Sequence, residues 1–539
     1  MDKIIAFILY FVVVLAIGIY FFLKSKGGDE KEYFLGGRHM GPFVTAMSAQ
    51  ASDMSGWLLM GFPGAIFALG MGQVWIGIGL ALGTAANWIF VATRLRRFSK
   101  ASGDSITLPQ YLTNRFASQS SVLKVVCAII FLISFTVYVA SAFVAGKTVF
   151  VSVMPWFADK TDLALLIFAV LILLYTFLGG YKAVCWTDFF QGLMMLIALL
   201  AVPIVMDAIG HFDPTQYSAF ADKGISAFNT NPFTASWQDI VTGLGWGLGY
   251  FGMPHILVRF MSINKPSQVK KSAAVAIVWV ILSLGAAIII AYLGRTYITS
   301  DGSALTQNLL EVVKDADNRK LIFVNIVCDI FPGFIAGILL SAIIAAAMST
   351  ADSQLLVASS AFTSDIYKPL IRKNKASDKE MLWVGRIVVM IVAVVAFFIA
   401  KAGNDNPASW TNDIMNMVEN AWGLFGAALV LSSSSHCSGD ALTTRALLQA
   451  SSQVLLQISL GFSASQQRSS LLTRSFTIQR FTRSFRASSA ASSSLSSLQL
   501  LLRHPEKKSK LSTQEQQIRL STTDSDQQLK SSSTFILRG

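Results

Sequence analysis

The feature that most constrains this chain is a series of apolar segments, each about as long as a bilayer is thick. A helix needs about 20 mainly apolar residues to cross the hydrocarbon core, and 53% of the 539 residues are hydrophobic while only 14% are charged. Spans are predicted at residues 4–23, 43–69, 73–93, 122–151, 162–181, 185–208, 237–261, 273–294, 321–357 and 382–401, with another beginning near 414. The sequence therefore predicts an all-α polytopic membrane protein.

Basic residues in alternate connections predict how the chain is oriented. They are Lys24, Lys26, Arg94, Arg96, Arg97, Lys100, Lys182, Lys265, Lys270, Lys271, Arg372, Lys373 and Lys375. Because basic loops stay cytoplasmic, the N-terminus is expected to lie outside. The first apolar run lacks a small-residue cleavage site and is expected to remain as a helix. Part of the net charge of +13 thus reports topology, and no nucleic-acid partner is expected.

The composition changes abruptly after Leu431. Residues 432–539 contain 28 serines and neither Trp nor Tyr, and 13 basic residues stand against 5 acidic ones. No run there reaches the roughly 18 apolar residues of a span, and low-complexity polar segments bury too little apolar surface to fold. The segment is either a disordered regulatory tail or the product of a reading-frame slip that replaced terminal helices. The position of the change, inside an apolar run, favours the slip.

An acid lies inside the second apolar segment. Asp53 stands among small and apolar residues, and one unpaired acid at the bilayer centre costs about 2.5–3.5 kcal/mol even on the lenient insertion scale. We therefore expect it to accompany a bound cation. Neighbouring carbonyls could face the same cation, since small residues maintain a regular helix poorly. The alternative is a packing role in which the acid pairs with a lysine elsewhere in the bundle.

A glycine-rich segment lies at residues 243–255. It contains a G-x-G-x-x-G string, but no strand precedes it, so a dinucleotide site is rejected. One interpretation is close helix packing through small residues. The other is a substrate wall, because Trp246 and Tyr250 are four apart and would share a helical face. Their rings could then hold an ammonium group by cation–π attraction.

Four further residues carry polar groups inside apolar segments. Ser349 and Thr350 offer the oxygen ligands that hard cations prefer, although bonding to the preceding helical turn is the alternative. Asp188 is predicted at the cytoplasmic entrance of a helix, where stabilisation by the helix dipole competes with a transport role. Asp352 receives no separate functional assignment. The four cysteines show no metal-ligand spacing and indicate no cofactor.

Five ordered motifs resemble those of the sodium/solute symporter family. They lie at residues 36–38 (GGR), 48–64, 186–188 (WTD), 246–255 and 345–354. The resemblance covers about residues 1–428 and implies a five-plus-five inverted-repeat transporter core. It places an extra N-terminal helix at 1–24, the first repeat at 41–208 and the second at 237–431. The family normally continues with two more helices, whereas this chain runs from 421–428 into the serine-rich segment, so the end of the second repeat is disrupted.

The resemblance also implies individual site residues. The sodium ligands would be the carbonyl oxygens of Ala51, Met54 and Ala346 and the hydroxyls of Ser349 and Thr350, with Asp53, Ser55 and Gly56 near the site. The substrate-binding residues would be Trp246, Tyr250 and Pro254. Asp188 would serve sodium coupling and Arg38 ion access.

The resemblance thus implies symport of sodium and L-proline into the cell across a bacterial cytoplasmic membrane, with sodium as coupling ion and no cofactor. The nearest alternative is a sodium symporter for a sugar, a vitamin or another amino acid. A membrane sensor with the tail as its output, or a product inactivated by that tail, are further alternatives. An enzyme is not expected, because the five histidines form no metal or nucleophile arrangement and no phosphate loop occurs.

Overall fold

A computed structural model describes residues 2–24, 29–116, 121–209, 228–297, 316–405, 411, 414–423 and 425. Within these ranges the chain is almost entirely helical and contains no β-strand. Seven of the described helices are long and apolar enough to cross a membrane, and two shorter apolar helices accompany them. The all-α prediction is therefore confirmed. The segment 432–539 and the end of the predicted second repeat lie outside the described residues.

The predicted spans lie in helical regions, although several of them are interrupted. In chain order the helices are α1 (Asp2–Lys24), α2 (Glu30–Leu35), α3 (Pro42–Asp53), α4 (Trp57–Leu69), α5 (Met71–Ala101), α6 (Leu108–Arg115), α7 (Val122–Val153), α8 (Thr161–Ile209), α9 (Trp237–Gly245), α10 (Pro254–Ser262), α11 (Pro266–Arg295), α12 (Ile322–Ile330), α13 (Gly333–Ile371) and α14 (Asp378–Asp405). Residues 414–423 are again helical.

The second apolar segment consists of two helices. α3 ends at Asp53, and the backbone leaves helical geometry at Met54, where φ is −82° and ψ is 71°. Gly56 brings this interruption close to α7, since a Cβ added there would lie 2.6 Å from the Cβ of Ala145. Small residues with low helix propensity therefore interrupt the span beside its acid.

The predicted span 321–357 is wrong at its start. α12 ends at Ile330, and Phe331 adopts the extended backbone (φ −105°, ψ 145°) that a following proline favours. Pro332 then precedes α13, which runs from Gly333 to Ile371. One apolar run thus contains a short helix and a spanning helix, a division that hydropathy does not register.

Two other predicted spans, 162–181 and 185–208, meet without a loop. Both belong to α8, which is interrupted only at Gly180, where φ is 62° and ψ is −173°. This left-handed conformation favours glycine. A side chain is further excluded because an added Cβ would lie 2.8 Å from the ring of Tyr33. The glycine therefore allows two helical limbs to meet at a sharp corner.

Glycines bring α5 into backbone contact with the segment that contains α9. A Cβ added to Gly79 would lie 2.3 Å from the carbonyl oxygen of Gly243, and one added to Gly83 would lie 2.2 Å from that of Gly247. An added Cβ on Gly247 would in turn lie 2.1 Å from the Gly79 carbonyl oxygen. The interpretation of residues 243–255 as a small-residue packing surface is therefore confirmed for these glycines.

Replacing Gly83 by alanine is expected to destabilise the protein, because the new methyl group would push two backbones apart. Overpacking of this kind typically costs about 1–3 kcal/mol of unfolding free energy, which thermal unfolding in detergent would detect. Gly285→Ala in α11 is the matched control, since no described residue outside its own helix turn lies within 4 Å of its added Cβ. Alanine there should be neutral or slightly stabilising. Equal melting temperatures for the two variants would contradict the contact.

Candidate functional site

Ser349 connects α13 to the end of α3. Its hydroxyl donates a hydrogen bond to the carbonyl oxygen of Ala51 at 2.8 Å and lies 3.2 Å from the carbonyl oxygen of Ala346. The adjacent Thr350 is fully buried, and its Oγ1 has no hydrogen-bond partner among the described residues. Four of the five predicted sodium ligands thus come from two helix segments that meet here. Bonding to the preceding turn accounts for only one of the two Ser349 contacts.

Asp53 is the last residue of α3 and is buried. Its Oδ2 accepts a hydrogen bond from the hydroxyl of Tyr250 at 2.5 Å, whereas no described residue bonds to its Oδ1. The alternative was that this acid pairs with a lysine. No ion pair between Asp53 and a lysine occurs in the described part of the chain. Ser55 belongs to the non-helical link after Met54, and its N–H donates to the Asp53 carbonyl oxygen at 3.0 Å. The carboxylate therefore keeps one oxygen available at the interruption.

Three aromatic rings form a cluster around Tyr250, the residue that contacts this carboxylate. Tyr250 meets the ring of Trp422 edge-on with centroids 5.1 Å apart, and Trp246 stacks on the same ring at 6.4 Å. The indole N–H of Trp422 also donates to the Trp246 carbonyl oxygen at 2.9 Å. Because the backbone from Trp246 to Phe251 is a 3₁₀-helix, a spacing of four does not place both rings on one face. Trp422, which sequence reasoning missed, brings them together.

Pro254 begins a helix. It is the first residue of α10, where the fixed φ of proline suits the helix and its missing N–H costs nothing. Gly252 and Met253 separate α10 from the preceding 3₁₀-helix. The predicted span 237–261 is therefore a second interrupted helix, with Pro254 buried at the interruption.

Asp188 lies about two turns after the Gly180 corner of α8 and is fully buried. Its Oδ2 accepts hydrogen bonds from the hydroxyl of Ser48 at 2.7 Å and from Nη2 of Arg259 at 3.0 Å. The helix-terminus interpretation of Asp188 is wrong, because the effect of the dipole falls off within the first turn. An ion pair with a buried arginine holds this acid instead.

Arg259 is the centre of the polar network around Asp188. Its Nε donates to Ser48 Oγ at 3.0 Å, its Nη1 to the His255 carbonyl oxygen at 2.8 Å, and its Nη2 also to Ser353 Oγ. The network joins α3, α8, α10 and α13. Sequence reasoning missed Arg259, although a base and an acid in separate apolar segments are the signal for a buried pair.

Arg38 is buried beside the C-terminal end of α10. Its Nη1 donates to the Met261 carbonyl oxygen at 2.6 Å and its Nε to Asp104 Oδ1 at 2.8 Å. Partial burial of Asp104 acts to raise the pKa of its carboxyl. The hydrogen bond from Lys31 and the charge of Arg38 outweigh this and hold that pKa below its usual range. The carboxylate therefore stays ionised at neutral pH and helps to fix the guanidinium.

Arg96 binds the same end of α10. Its Nε donates to the carbonyl oxygen of Ile263 at 2.5 Å and its Nη2 to that of Asn264 at 3.0 Å. The backbone of Met40 pairs with both sides of Ile263, accepting from Asn264 N–H at 3.0 Å and donating to the Ser262 carbonyl oxygen at 3.2 Å. Cations at a helix C-terminus are stabilised by the dipole, so this end of α10 is tied to the residues just before α3.

The chain is similar to a defined group of transport proteins. The profile described as "Sodium:solute symporter family" matches residues 33–432. The chain belongs to the sodium:solute symporter family. This symporter is 42% identical over 429 residues to the sodium/proline symporter of Escherichia coli (strain K12), a match that covers 79% of this chain and 81% of that protein. It is 40% identical over 432 residues to the osmoregulated proline transporter OpuE of Bacillus subtilis (strain 168), covering 79% and 82%.

A solved structure shares the fold of this symporter. A sodium-coupled sialic acid symporter in a substrate-bound outward-open state matches with a TM-score of 0.60 at 18% identity, covering 84% of this chain and 96% of the other. The architecture is the five-plus-five inverted-repeat transporter fold with an extra N-terminal helix, α1. Its two interrupted spans, α3–α4 and α9–α10, meet at the hydrogen bond between Asp53 and Tyr250. Interrupted helices of this kind form the binding sites of such transporters.

Proposed function

We propose that this symporter takes up L-proline together with sodium across a bacterial cytoplasmic membrane, with its N-terminus outside. The observation that carries the proposal is the meeting of Ser349 with the Ala51 carbonyl beside a buried Thr350 hydroxyl that has no hydrogen-bond partner among the described residues. Relatives about 40% identical over most of the chain are named as proline transporters, which supports the substrate. The distribution of basic connections supports the orientation.

The proposed sodium ligands are all oxygens, as a hard cation requires. They are the carbonyl oxygens of Ala51, Met54 and Ala346 and the hydroxyls of Ser349 and Thr350. A Ser349 proton that now points to the Ala51 carbonyl can rotate away, which leaves both oxygens facing the ion. The charge of Asp53 compensates that of the ion, and Ser55 and Gly56 allow the chain to turn between them.

The proposed proline site is the aromatic cluster at the second interruption. Trp246, Tyr250 and Pro254 offer apolar surface for the pyrrolidine ring, and the faces of the aromatic rings attract its secondary ammonium. Because Tyr250 also binds Asp53, a change at the cation site reaches the substrate site through one hydrogen bond. Arg38 would control ion access from the end of α10, and Asp188 would take part in sodium coupling through its contacts with α3 and α10.

Coupling follows from this shared geometry. Sodium that orders the end of α3 also orders Tyr250, so each ligand raises the affinity for the other. One sodium crossing about 100 mV supplies about 2.3 kcal/mol, and a tenfold sodium gradient adds about 1.4 kcal/mol. Together they support roughly 500-fold accumulation of a net-neutral zwitterion. That is ample for scavenging an amino acid.

Proteoliposomes with sodium outside are expected to accumulate radiolabelled L-proline, and the uptake should be electrogenic because the substrate carries no net charge. The measurement compares the rate of L-proline uptake with and without an imposed inside-negative membrane potential. In the control, choline replaces sodium outside. A panel of unlabelled sugars, vitamins and amino acids competes for uptake. Sodium-driven uptake of another solute in preference to proline would reassign the substrate, and binding without accumulation would favour a sensor.

A further inference from the structure

Tyr10 reaches from the extra helix α1 into the interior of the bundle. It is buried, and its hydroxyl accepts a hydrogen bond from Gln191 Nε2 at 2.8 Å. The same hydroxyl donates to Met348 Sδ at 3.5 Å. Gln191 lies three residues after Asp188 on α8, and Met348 directly precedes Ser349 on α13. One side chain from outside the predicted repeats thus bridges the helix of the buried ion pair and the helix of the cation site.

The hydroxyl of Tyr10 is the feature that needs an explanation. Its neighbours on α1, Phe7 and Phe11, also pack into the bundle, and both do so as phenylalanine. A phenylalanine would fill the space of Tyr10 equally well, without bringing a polar group that has to be satisfied at depth. The hydroxyl therefore does more than fill volume. Its two partners, Gln191 on α8 and Met348 on α13, indicate that it connects these two helices.

α1 is held closely against α13 along the length that leads to Met348. A Cβ added to Gly337 would lie 2.7 Å from the Cβ of Ala6 and 2.8 Å from the Cα of Lys3. This contact leaves no room for α1 to slide or rotate on α13 without separating from it. Tyr10 is therefore anchored by the backbone of its own helix when it contacts Met348.

We propose that Tyr10 is a positioning residue for the cation site, holding α8 and α13 in the arrangement in which Ser349 faces Ala51. Met348 and Ser349 are consecutive, so a rotation of α13 that moves one moves the other. Loss of the Tyr10 hydroxyl frees Met348 on this side and removes the partner of Gln191 Nε2, while Gln191 Oε1 already has none among the described side chains. The extra helix thereby sets the affinity for the ion without touching it.

The inference rests on the proposed sodium site but not on the identity of the substrate. The test is therefore sodium-dependent thermal stabilisation of the purified full chain without any solute, with choline keeping the ionic strength constant. Tyr10→Phe is expected to raise the half-saturating sodium concentration at least about fivefold, the lower end of typical coupling between sites. Gln191→Leu should have the same effect. Because both variants lose the bond between Gln191 and Tyr10, the double variant should be no worse than the worse single variant.

Tyr20→Phe is the matched control, since it makes the same change on the same helix at a side chain that is 56% exposed. Its half-saturating concentration should equal that of the parent chain. A Tyr10→Phe variant with the parent's sodium dependence would overturn the inference about Tyr10 but not the proposed sodium site. Additive effects in the double variant would do the same. A parent chain that sodium does not stabilise would overturn the proposed site and the inference with it. Should Tyr10→Phe fail to fold, Gln191→Leu carries the same comparison.

Discussion

Replacing Asp53 by asparagine should abolish sodium-driven uptake while leaving the protein folded. The amide keeps the size of the side chain and can still accept from Tyr250, but it removes the negative charge next to the proposed cation. A charge about 5 Å from the ion at an effective dielectric of about 20 contributes about 3 kcal/mol, which is more than about a hundredfold in affinity. The measurement is the initial rate of L-proline uptake as a function of external sodium in proteoliposomes.

Tyr250→Phe is the comparison that separates charge from contact. It removes the 2.5 Å hydrogen bond to Asp53 but leaves the carboxylate in place. We expect this variant to keep sodium-dependent uptake with a raised KM for proline. Sodium-dependent uptake at parental rates in Asp53→Asn would refute the assignment of Asp53 to the cation site.

Replacing Arg259 by glutamine should cause the largest loss of stability of any single change considered. The Arg259–Asp188 pair is 1% and 0% exposed, so removal of the cation leaves an uncompensated carboxylate deep in the bundle. Breaking a buried pair in this way costs about 3–5 kcal/mol. Reversible unfolding in mixed micelles would measure the loss, and the amount of folded protein in membranes should fall with it.

Arg372→Gln provides the matched control, because Arg372 pairs with Glu380 at 2.7 Å while its side chain is 46% exposed. An exposed pair contributes about 0–1 kcal/mol, so the two arginine variants should differ clearly. Combining Arg259→Met with Asp188→Leu should recover part of the lost stability, because no buried charge is then left alone. Equal losses in the two single variants would show that the buried pair is not electrostatically important.

The features that the sequence predicted well depend on residues close to one another in the chain. The interruption at Asp53–Gly56 follows from small residues around a buried acid, and the spans follow from the length of apolar runs. The break before Pro332 was missed because hydropathy reports the apolar character of both helices and not the backbone between them. The 3₁₀ geometry around Trp246 was missed for a similar reason, since spacing arguments assume 3.6 residues per turn.

What the sequence did not predict depends on which helices face one another. The pair Asp188–Arg259, the contact of Trp422 with Trp246 and the bridge from Tyr10 to Met348 all join residues far apart in the chain. Each contact involves single residues that belong to no repeating pattern, so the periodicity of the sequence cannot predict it. The family motifs contain Asp188 but stop short of Arg259, and only the packing of α8 against α10 shows that the acid has a cation.

The glycine contact between α5 and α9 determines which parts of the protein are able to shift together. α5 belongs to the predicted first repeat and α9 to the second, yet their backbones touch at Gly79 and Gly243 with no side chain in between. Side chains can adopt new rotamers when two surfaces slide, whereas carbonyl groups in direct contact cannot. We therefore expect these two helices, one from each predicted repeat, to move as one unit. A boundary between moving parts of the transporter would then not coincide with the boundary between its two predicted repeats.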